Sequence, residues 1–132
     1  MRQYSTSLRN GWNNTYKSVI GPSPRLQIFN GVVPVNCEDP NEGLLLIDMT
    51  LPSDWLGTSS AGIIGKQGLW AAIGMGTGLA TYYRIRSADT VTVHEQGTVG
   101  IDNSFDMVMN PNMVVEGQSL SVNTWTIIAP GQ

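Results

Sequence analysis

The side chains best suited to chemistry in this chain are its single histidine and single cysteine. His94 could act as a general base with Glu95 or Asp89 as an acidic partner. However, His94 and Glu95 are neighbours in an alternating segment, and successive side chains of a strand point to opposite faces. Cys37 has no histidine partner that would activate it as a nucleophile. We therefore interpret His94 as a packing or surface residue, Cys37 as an unreactive thiol, and the chain as non-enzymatic.

Metal and phosphate sites are equally poorly supported. One histidine and one cysteine cannot make a zinc site, and the acidic loop of Glu38, Asp39 and Glu42 has no calcium-loop spacing. Residues 102–106 are also interpreted as a solvated turn. The glycine-rich residues 74–78 precede a strand-like pattern, whereas a phosphate-binding loop opens into a helix. This pattern predicts a hairpin, and no metal or cofactor is predicted.

The aromatic residues leave one alternative open. Stacking platforms for sugars or single-stranded nucleic acid are built from aromatic side chains. The candidates are Trp12, Trp55, Trp70, Trp125, Tyr82 and Tyr83. Core and interface packing also accounts for them, so a carbohydrate-binding β-sandwich is retained as an alternative, with Trp55 and Trp125 as its test residues.

Charge is scarce and unevenly distributed. Charged residues make up 13% of the chain, against about 25% in an average soluble domain. Residues 1–37 hold four basic residues and no acid, whereas the remainder holds three basic residues and all ten acids. This asymmetry suggests a basic N-terminal element facing an acidic surface on its own body or on a neighbouring copy. The net charge of −3 does not favour nucleic acid.

The N-terminal segment predicts a helix over residues 6–20. A serine or threonine at 5–7 can cap its start, and Gly21-Pro22 ends it. Apolar residues at helical spacing form one face, consisting of Leu8, Trp12, Tyr16, Val19 and Ile20. Because a helix of this length is marginal in water, that face must dock on its own domain or on another subunit.

Everything after Pro24 has a β pattern. Short strands are predicted at 25–30, 43–51, 67–73, 79–87, 91–99, 105–110 and 119–128. The last of these changes the parity of its apolar positions, which indicates a bulge or a strand with two packing partners. The predicted fold is mainly all-β: an antiparallel β-sandwich or barrel preceded by one N-terminal α-helix. Residues 1–24 form the basic arm and helix, and residues 25–132 form the β-sandwich domain.

Membrane association is not predicted. The most apolar window, residues 61–80, contains Lys66 and six glycines, which makes it a poor membrane span. No apolar signal-peptide core follows the first residues. We therefore expect synthesis in the cytoplasm of the producing cell.

The order of these signals resembles that of a family of small virion structural proteins of tailed bacteriophages, and the similarity runs from about residue 8 to residue 129. The motifs that carry it are Ile20-Gly21-Pro22-Ser23-Pro24, Arg25-Leu26-Gln27-Ile28, Gly31-Val32-Val33-Pro34, Gly43-Leu44-Leu45, Leu51-Pro52-Ser53-Asp54-Trp55, Gly78-Leu79-Ala80-Thr81-Tyr82-Tyr83-Arg84-Ile85, Gln96-Gly97-Thr98-Val99 and Gly117-Gln118-Ser119-Leu120-Ser121-Val122. The resemblance implies a β-sandwich subunit of a particle without enzymatic activity.

The resemblance leads to an expected function. We expect a capsid decoration (cement) protein that forms a homo-oligomer, with a trimer as one candidate, and binds the major capsid protein on the outer head surface. A neck or tail subunit is the alternative. The candidate partner-contact residues are Arg2, Arg9, Trp12, Tyr16, Lys17 and Arg25. No membrane or nucleic-acid partner is expected.

Overall fold

The fold is mainly β with one N-terminal helix, as the sequence predicts. The computed structural model describes residues 3–102 and 104–128, with the backbone alone for 127 and 128. The helix, α1, spans Thr6–Ile20. In chain order, the strands of the described residues are β1 (Arg25–Phe29), β2 (Leu45–Thr50), β3 (Ile63–Gly65), β4 (Ala71–Ile73), β5 (Gly78–Leu79), β6 (Tyr82–Arg86), β7 (Val93–Gly100), β8 (Met107–Val108), β9 (Met113–Val114), β10 (Ser119–Ser121) and β11 (Thr124–Ile128).

The helix begins and ends where local signals place it. The Ser5 hydroxyl oxygen accepts a hydrogen bond from the Leu8 N–H at 3.1 Å, which satisfies one free donor of the first turn. At the other end, Gly21 has φ +85° and donates its N–H to the Lys17 carbonyl oxygen. The positive φ explains why glycine stands there.

Seven strands form one mixed sheet in the order β2-β1-β6-β7-β8-β11-β3. The pair β7–β8 is parallel and the other pairs are antiparallel, so the expectation of a purely antiparallel sheet is corrected. Only residues 101–106 separate β7 from β8, which is a short connection for a parallel pair, because such pairs ordinarily need a crossover of a dozen or more residues. Among the described residues the sheet has β2 and β3 at its two edges and does not close into a barrel.

Two small sheets, β10–β4 and β5–β9, complete the framework. They send Leu120 and Val114 into the same core that receives Leu26 and Ile85 from the large sheet. The core is centred on three tryptophans, Trp55, Trp70 and Trp125, whose ring centroids lie 5.4–6.1 Å apart. Large and small sheets therefore enclose one core in the manner of a sandwich.

The change of parity near the C terminus marks a boundary between two strands, rather than a bulge or one strand with two packing partners. The predicted strand 119–128 is divided into β10, which pairs with β4, and β11, which pairs with β8 and β3. The edge strand β3 lies between two predicted strands, in a segment for which no strand is predicted. It is only three residues long, too short for its alternation to be recognised.

The predicted hairpin at residues 74–78 is wrong. β4 pairs with β10, and β6 pairs with β1 and β7. After β4 the chain crosses to a different neighbour, because the Gly74 N–H donates to the Gln118 carbonyl oxygen and the Met75 N–H to that of Leu46. A side chain at Gly74 would place its Cβ 2.6 Å from the Val115 carbonyl oxygen, so the crossing requires glycine.

A loop of residues 32–42, which we call the strap, covers the outer face of β6 and β7. Arg84, almost fully buried, donates to the carbonyl oxygens of Asp39 at 2.8 Å and Asn36 at 3.3 Å, and to Asn41 Oδ1 at 3.0 Å. Its Nε donates to Gln96 Oε1 at 3.2 Å. The guanidinium thus donates hydrogen bonds to backbone carbonyl groups of the strap, which has no regular secondary structure to satisfy them.

Candidate functional site

The helix α1 turns two different faces toward the body and toward solvent. Its buried residues are Arg9, Asn13 and Ile20. Leu8, Trp12 and Val19 are exposed, with 46%, 37% and 64% of their surface accessible. Residues four and seven apart share one face of a helix, so these three lie along one side of α1, with Thr15 in the turn between Trp12 and Val19; we call this set of three the helix stripe.

This arrangement corrects the prediction that the whole apolar face is docked. Tyr16 and Ile20 do pack against the core, but the rest of the docked face is polar. The helix is oriented by long-range hydrogen bonds from its polar side chains, and the spacing of apolar residues carries no information about these bonds.

Two asparagines attach α1 to the turn before β3. Asn13 Nδ2 donates to the Gly62 carbonyl oxygen at 2.8 Å and to Ser59 Oγ at 3.2 Å. Asn10 Oδ1 accepts from the Gly62 N–H at 2.8 Å and from Ser59 Oγ at 2.9 Å. Asparagine is a poor helix former, and here that cost is offset by four contacts to a segment far away in sequence.

Arg9, a candidate contact residue, is buried against the same turn. Its Nη1 donates to the Ala61 carbonyl oxygen at 3.3 Å. A side chain at Gly62 would place its Cβ 2.4 Å from Arg9 Cζ. Gly62 also has φ +76°, so both its backbone conformation and the guanidinium above it favour glycine.

Tyr16, another candidate, holds α1 to the large sheet through a partly buried carboxylate. Its hydroxyl donates to Glu95 Oε1 at 2.8 Å, and the Tyr83 hydroxyl donates to Glu95 Oε2 at 2.7 Å. The Tyr83 oxygen in turn accepts from Trp125 Nε1 at 3.0 Å. One carboxylate therefore connects α1, β6 and β7, with β11 joined through Tyr83.

Burial dominates the electrostatics of this group. It raises the pKa of Glu95 above its ordinary value, although the two tyrosine hydroxyls act in the opposite direction and Asp106 adds to the rise. Burial and the nearby Glu95 carboxylate also raise the pKa values of Tyr16 and Tyr83. The tyrosines therefore stay protonated and remain donors over the physiological range.

Glu95 is not predicted from the sequence to face inward, yet a signal for that position is present. Val93, Glu95, Gly97 and Val99 alternate along one strand, and Val99 is buried. Side chains two apart share a face, so the alternation places the Glu95 carboxylate on the inward side.

The other two described cations among the candidates pair with acids of the same chain. Lys17 Nζ lies 2.7 Å from Asp54 Oδ1 and donates to the Leu56 carbonyl oxygen. Arg25 forms a two-point contact with Asp48 across β1 and β2, at 2.5 and 3.0 Å. Their positive charge is thus largely compensated within the protein.

Trp12 is the candidate that the structure leaves most available. The indole is partly exposed and packs edge-on against Tyr4, with ring centroids 4.9 Å apart. Arg2, the remaining candidate, lies outside the described residues. Of the predicted contact set, Trp12 is the large aromatic residue that presents its surface outward.

A sugar-stacking platform on the other tryptophans is contradicted. Trp55, Trp70 and Trp125 are 0%, 0% and 3% exposed, and Tyr83 is buried with them. A platform must offer an open ring face to its ligand. The alternative of carbohydrate binding through Trp55 and Trp125 is therefore wrong, because both rings are packed inside the core.

The other candidates for chemistry occupy structural positions. Asp89 accepts from Ser87 Oγ and from the Val91 N–H in the turn between β6 and β7. Cys37 lies half-buried in the strap, where burial raises the pKa of its thiol. Across residues 3–102 and 104–128, no three His, Cys, Asp or Glu side chains come together in a way that could hold a metal ion.

Comparison with protein-family models, with curated proteins and with solved structures gives no match for this chain. In the described part of the chain, no helix has the length and apolar character needed to cross a bilayer.

Proposed function

We propose that this chain is a non-enzymatic structural subunit of a tailed-bacteriophage virion, specifically a capsid decoration (cement) protein on the outer surface of the head. Its partners in this proposal are the major capsid protein and further copies of itself. The observation that carries the proposal is the helix stripe, an apolar surface on a helix whose neighbouring face is fixed to the body.

The fixed position of α1 favours tight contact. Asn10, Asn13 and Tyr16 hold the helix through hydrogen bonds, so binding through the stripe does not have to order it first. Pre-ordered contact surfaces lose less conformational entropy on association. Tryptophan is also among the residues that contribute most to protein interfaces, and Trp12 lies in the middle of the stripe.

The charges around α1 support the same role. Lys17 and Arg25 already have carboxylate partners, so a partner surface that covers them does not bury an isolated cation. Burying an unpaired charge is costly. A mainly apolar stripe suits a permanent contact within a particle.

The direct test is the composition of purified virions. Quantitative mass spectrometry of particles of the phage that encodes this chain should find it in copy numbers comparable to the major capsid protein. A few copies per particle would instead favour the neck or tail alternative. Absence from the particle would show that the proposal is wrong.

The contact surface is tested with the substitution Trp12→Ala in the full chain. Particles assembled with this variant should lose most of the bound protein, while Val91→Ala, which alters an equally apolar and more exposed side chain, should bind normally. Deleting residues 1–20 is a poorer test, because it removes Tyr16 and Ile20 from the core and destabilises the body itself. Normal occupancy with Trp12→Ala would exclude the helix stripe as the contact.

A further inference from the structure

A second apolar surface lies on the side of the molecule beside β5 and β9. Its members are large apolar side chains about half exposed to solvent. They are Leu44, Ile73, Met75, Leu79, Met113 and Val115, and we call this surface the end patch.

Backbone pairing brings the members of the end patch together. Leu79 of β5 and Met113 of β9 are directly paired residues of an antiparallel ladder, so their side chains lie on the same face. Their neighbours Gly78 and Val114 face the other way, and Val114 is buried in the core.

The remaining members join this pair through close backbone contacts. The Gly74 N–H donates to the Gln118 carbonyl oxygen and the Gly117 N–H to that of Gly74, which fixes residues 73–75 beside 115–118. A Cβ at Gly76 would lie 3.3 Å from Leu44 Cδ2, so Leu44 borders the same segment. The patch is therefore built on fixed backbone rather than on a free loop.

The end patch carries almost no charge. Within the segments that supply its members, residues 43–46, 71–79 and 112–118, the only charged residue is Glu116, and Glu42 lies two residues before Leu44. An uncharged surface can be placed against an identical surface without like-charge repulsion, whereas a surface with a strong charge of one sign cannot. The strap illustrates the contrast, because its exposed Val32 and Val35 lie near three acidic residues.

The area of the patch also fits association between copies. Six side chains at about half exposure offer roughly 600 Å² of apolar surface, the upper end of the largest patches found on monomers. A stable protein–protein interface buries about 800 Å² on each partner. The patch and its immediate rim therefore supply most of one side of a standard interface.

We infer that the end patch is the surface through which copies of this chain bind one another, with the patches of neighbouring copies meeting around their symmetry axis. The self-association itself does not depend on the proposed function; only its biological purpose rests on the proposal that this chain is a particle subunit. The end patch lies beside edge strand β2 through the Met75–Leu46 hydrogen bond, whereas α1 lies beside edge strand β3. Self-association through the patch thus leaves the helix stripe free for a different partner.

The test uses the purified full-length chain without any virion component. Sedimentation equilibrium should give a mass that is a multiple of 14.3 kDa, and the multiple gives the number of copies. A monomer at all accessible concentrations would overturn the inference, even if the protein is abundant in virions. Conversely, an oligomer that is absent from virions would overturn the proposed function and leave the inference intact.

Charge substitutions locate the interface. Leu79→Lys and Leu79→Glu should each weaken self-association by about 100-fold or more, because like charges are brought together at the axis. The matched control is Val91→Lys, at a position 76% exposed outside the patch, and it should associate like the wild type. Thermal unfolding of each variant establishes that these exposed substitutions leave the fold intact.

Mixing the two variants separates a direct contact from a general loss of solubility or structure. If patches of neighbouring copies meet, a mixture of Leu79→Lys and Leu79→Glu should recover association that neither variant shows alone, because opposite charges then face one another. Wild-type association in both single variants, or failure of the mixture to recover association, would overturn the assignment of the interface to this patch.

Discussion

Tyr16 of α1 donates its hydroxyl hydrogen to Oε1 of Glu95 at 2.8 Å, across 79 residues of sequence. The same carboxylate accepts from Tyr83 of β6. The helix is therefore joined to the sheet by a partly buried acid that two phenols stabilise, in addition to its contacts with the turn before β3. Contacts of this kind determine which part of α1 remains available to a partner.

Replacing Tyr16 with phenylalanine removes one of the two donors while keeping the ring. Leaving a buried charged acceptor with one fewer donor costs about 1–3 kcal/mol, so the free energy of unfolding should fall by that amount. Chemical denaturation monitored by tryptophan fluorescence measures it. The control is Tyr4→Phe, because the Tyr4 hydroxyl makes no hydrogen bond to the core. If Tyr16→Phe lowers the free energy of unfolding no more than Tyr4→Phe does, the Tyr16–Glu95 hydrogen bond does not have the proposed role.

The partly buried position of Glu95 predicts a specific dependence of stability on pH. Its pKa is raised in the folded state, so the native protein binds a proton at a higher pH than the unfolded chain does. As pH falls from neutral through the native pKa toward the ordinary value near 4.5, the wild type should gain stability relative to Glu95→Gln. Below that value this group contributes no further change.

Asp54 provides the control of opposite sign. Its hydrogen bond and ion pair with Lys17 lower its pKa, so its contribution to stability is present above the ordinary pKa and is lost as pH falls through the native one. Unfolding free energies of wild type, Glu95→Gln and Asp54→Asn should be measured from pH 8 to pH 3. A constant difference between wild type and Glu95→Gln across the range would contradict the predicted protonation.

Gly62 should be intolerant of alanine for two separable reasons. Its φ of +76° strains any L-residue by about 1 kcal/mol, and the added Cβ meets the buried Arg9 guanidinium at 2.4 Å. Gly117→Ala is the matched control, because Gly117 has a similar φ of +87° with open space around its Cβ.

A double-mutant cycle isolates the Arg9 contact. Gly62→Ala should cost more free energy of unfolding than Gly117→Ala, and the excess should disappear when Arg9 is replaced with alanine. If the two glycine substitutions lower the free energy of unfolding equally in the wild-type background, the Arg9 side chain moves aside at no energetic cost.

Arg84 is predicted to be irreplaceable by lysine. Its guanidinium contacts Asn36, Asp39, Asn41 and Gln96 at once, and a single ammonium group cannot reproduce that fork. Arg84→Lys should lower the free energy of unfolding by roughly 3 kcal/mol. Faster amide hydrogen exchange should appear in residues 32–42; unchanged exchange there would contradict the role of Arg84 in ordering the strap.

The features that could be predicted from sequence are those with local causes. The bounds of α1 follow from the Ser5 cap and the Gly21 stop, and most strands follow from alternation between glycine-rich turns. The change of parity between Val122 and Trp125 indicated an irregularity in the predicted strand, and the structure has a break there between β10 and β11. These features depend on residues within a few positions of one another.

The orientation of α1 could not be predicted because it depends on distant partners. Helical periodicity grouped Leu8 and Trp12 with Ile20, but the hydrogen bonds from Asn13 to Gly62 turn the helix so that the first two remain exposed. Similarly, nothing near Arg84 in sequence indicates that a loop more than forty residues earlier will enclose its guanidinium. Polar groups that satisfy one another over long distances leave little trace in composition or spacing.

The place of β11 within the large sheet affects how the chain must be synthesised and folded. Thr124–Ile128 lies between β8 and β3, and β3 comes from a much earlier segment of the chain. While a ribosome is still producing the preceding residues, β3 has no neighbour to pair with and Trp125 has not yet filled its place among the aromatic rings. The nascent polypeptide therefore leaves β3 without its sheet neighbour until residues 124–128 have left the ribosome.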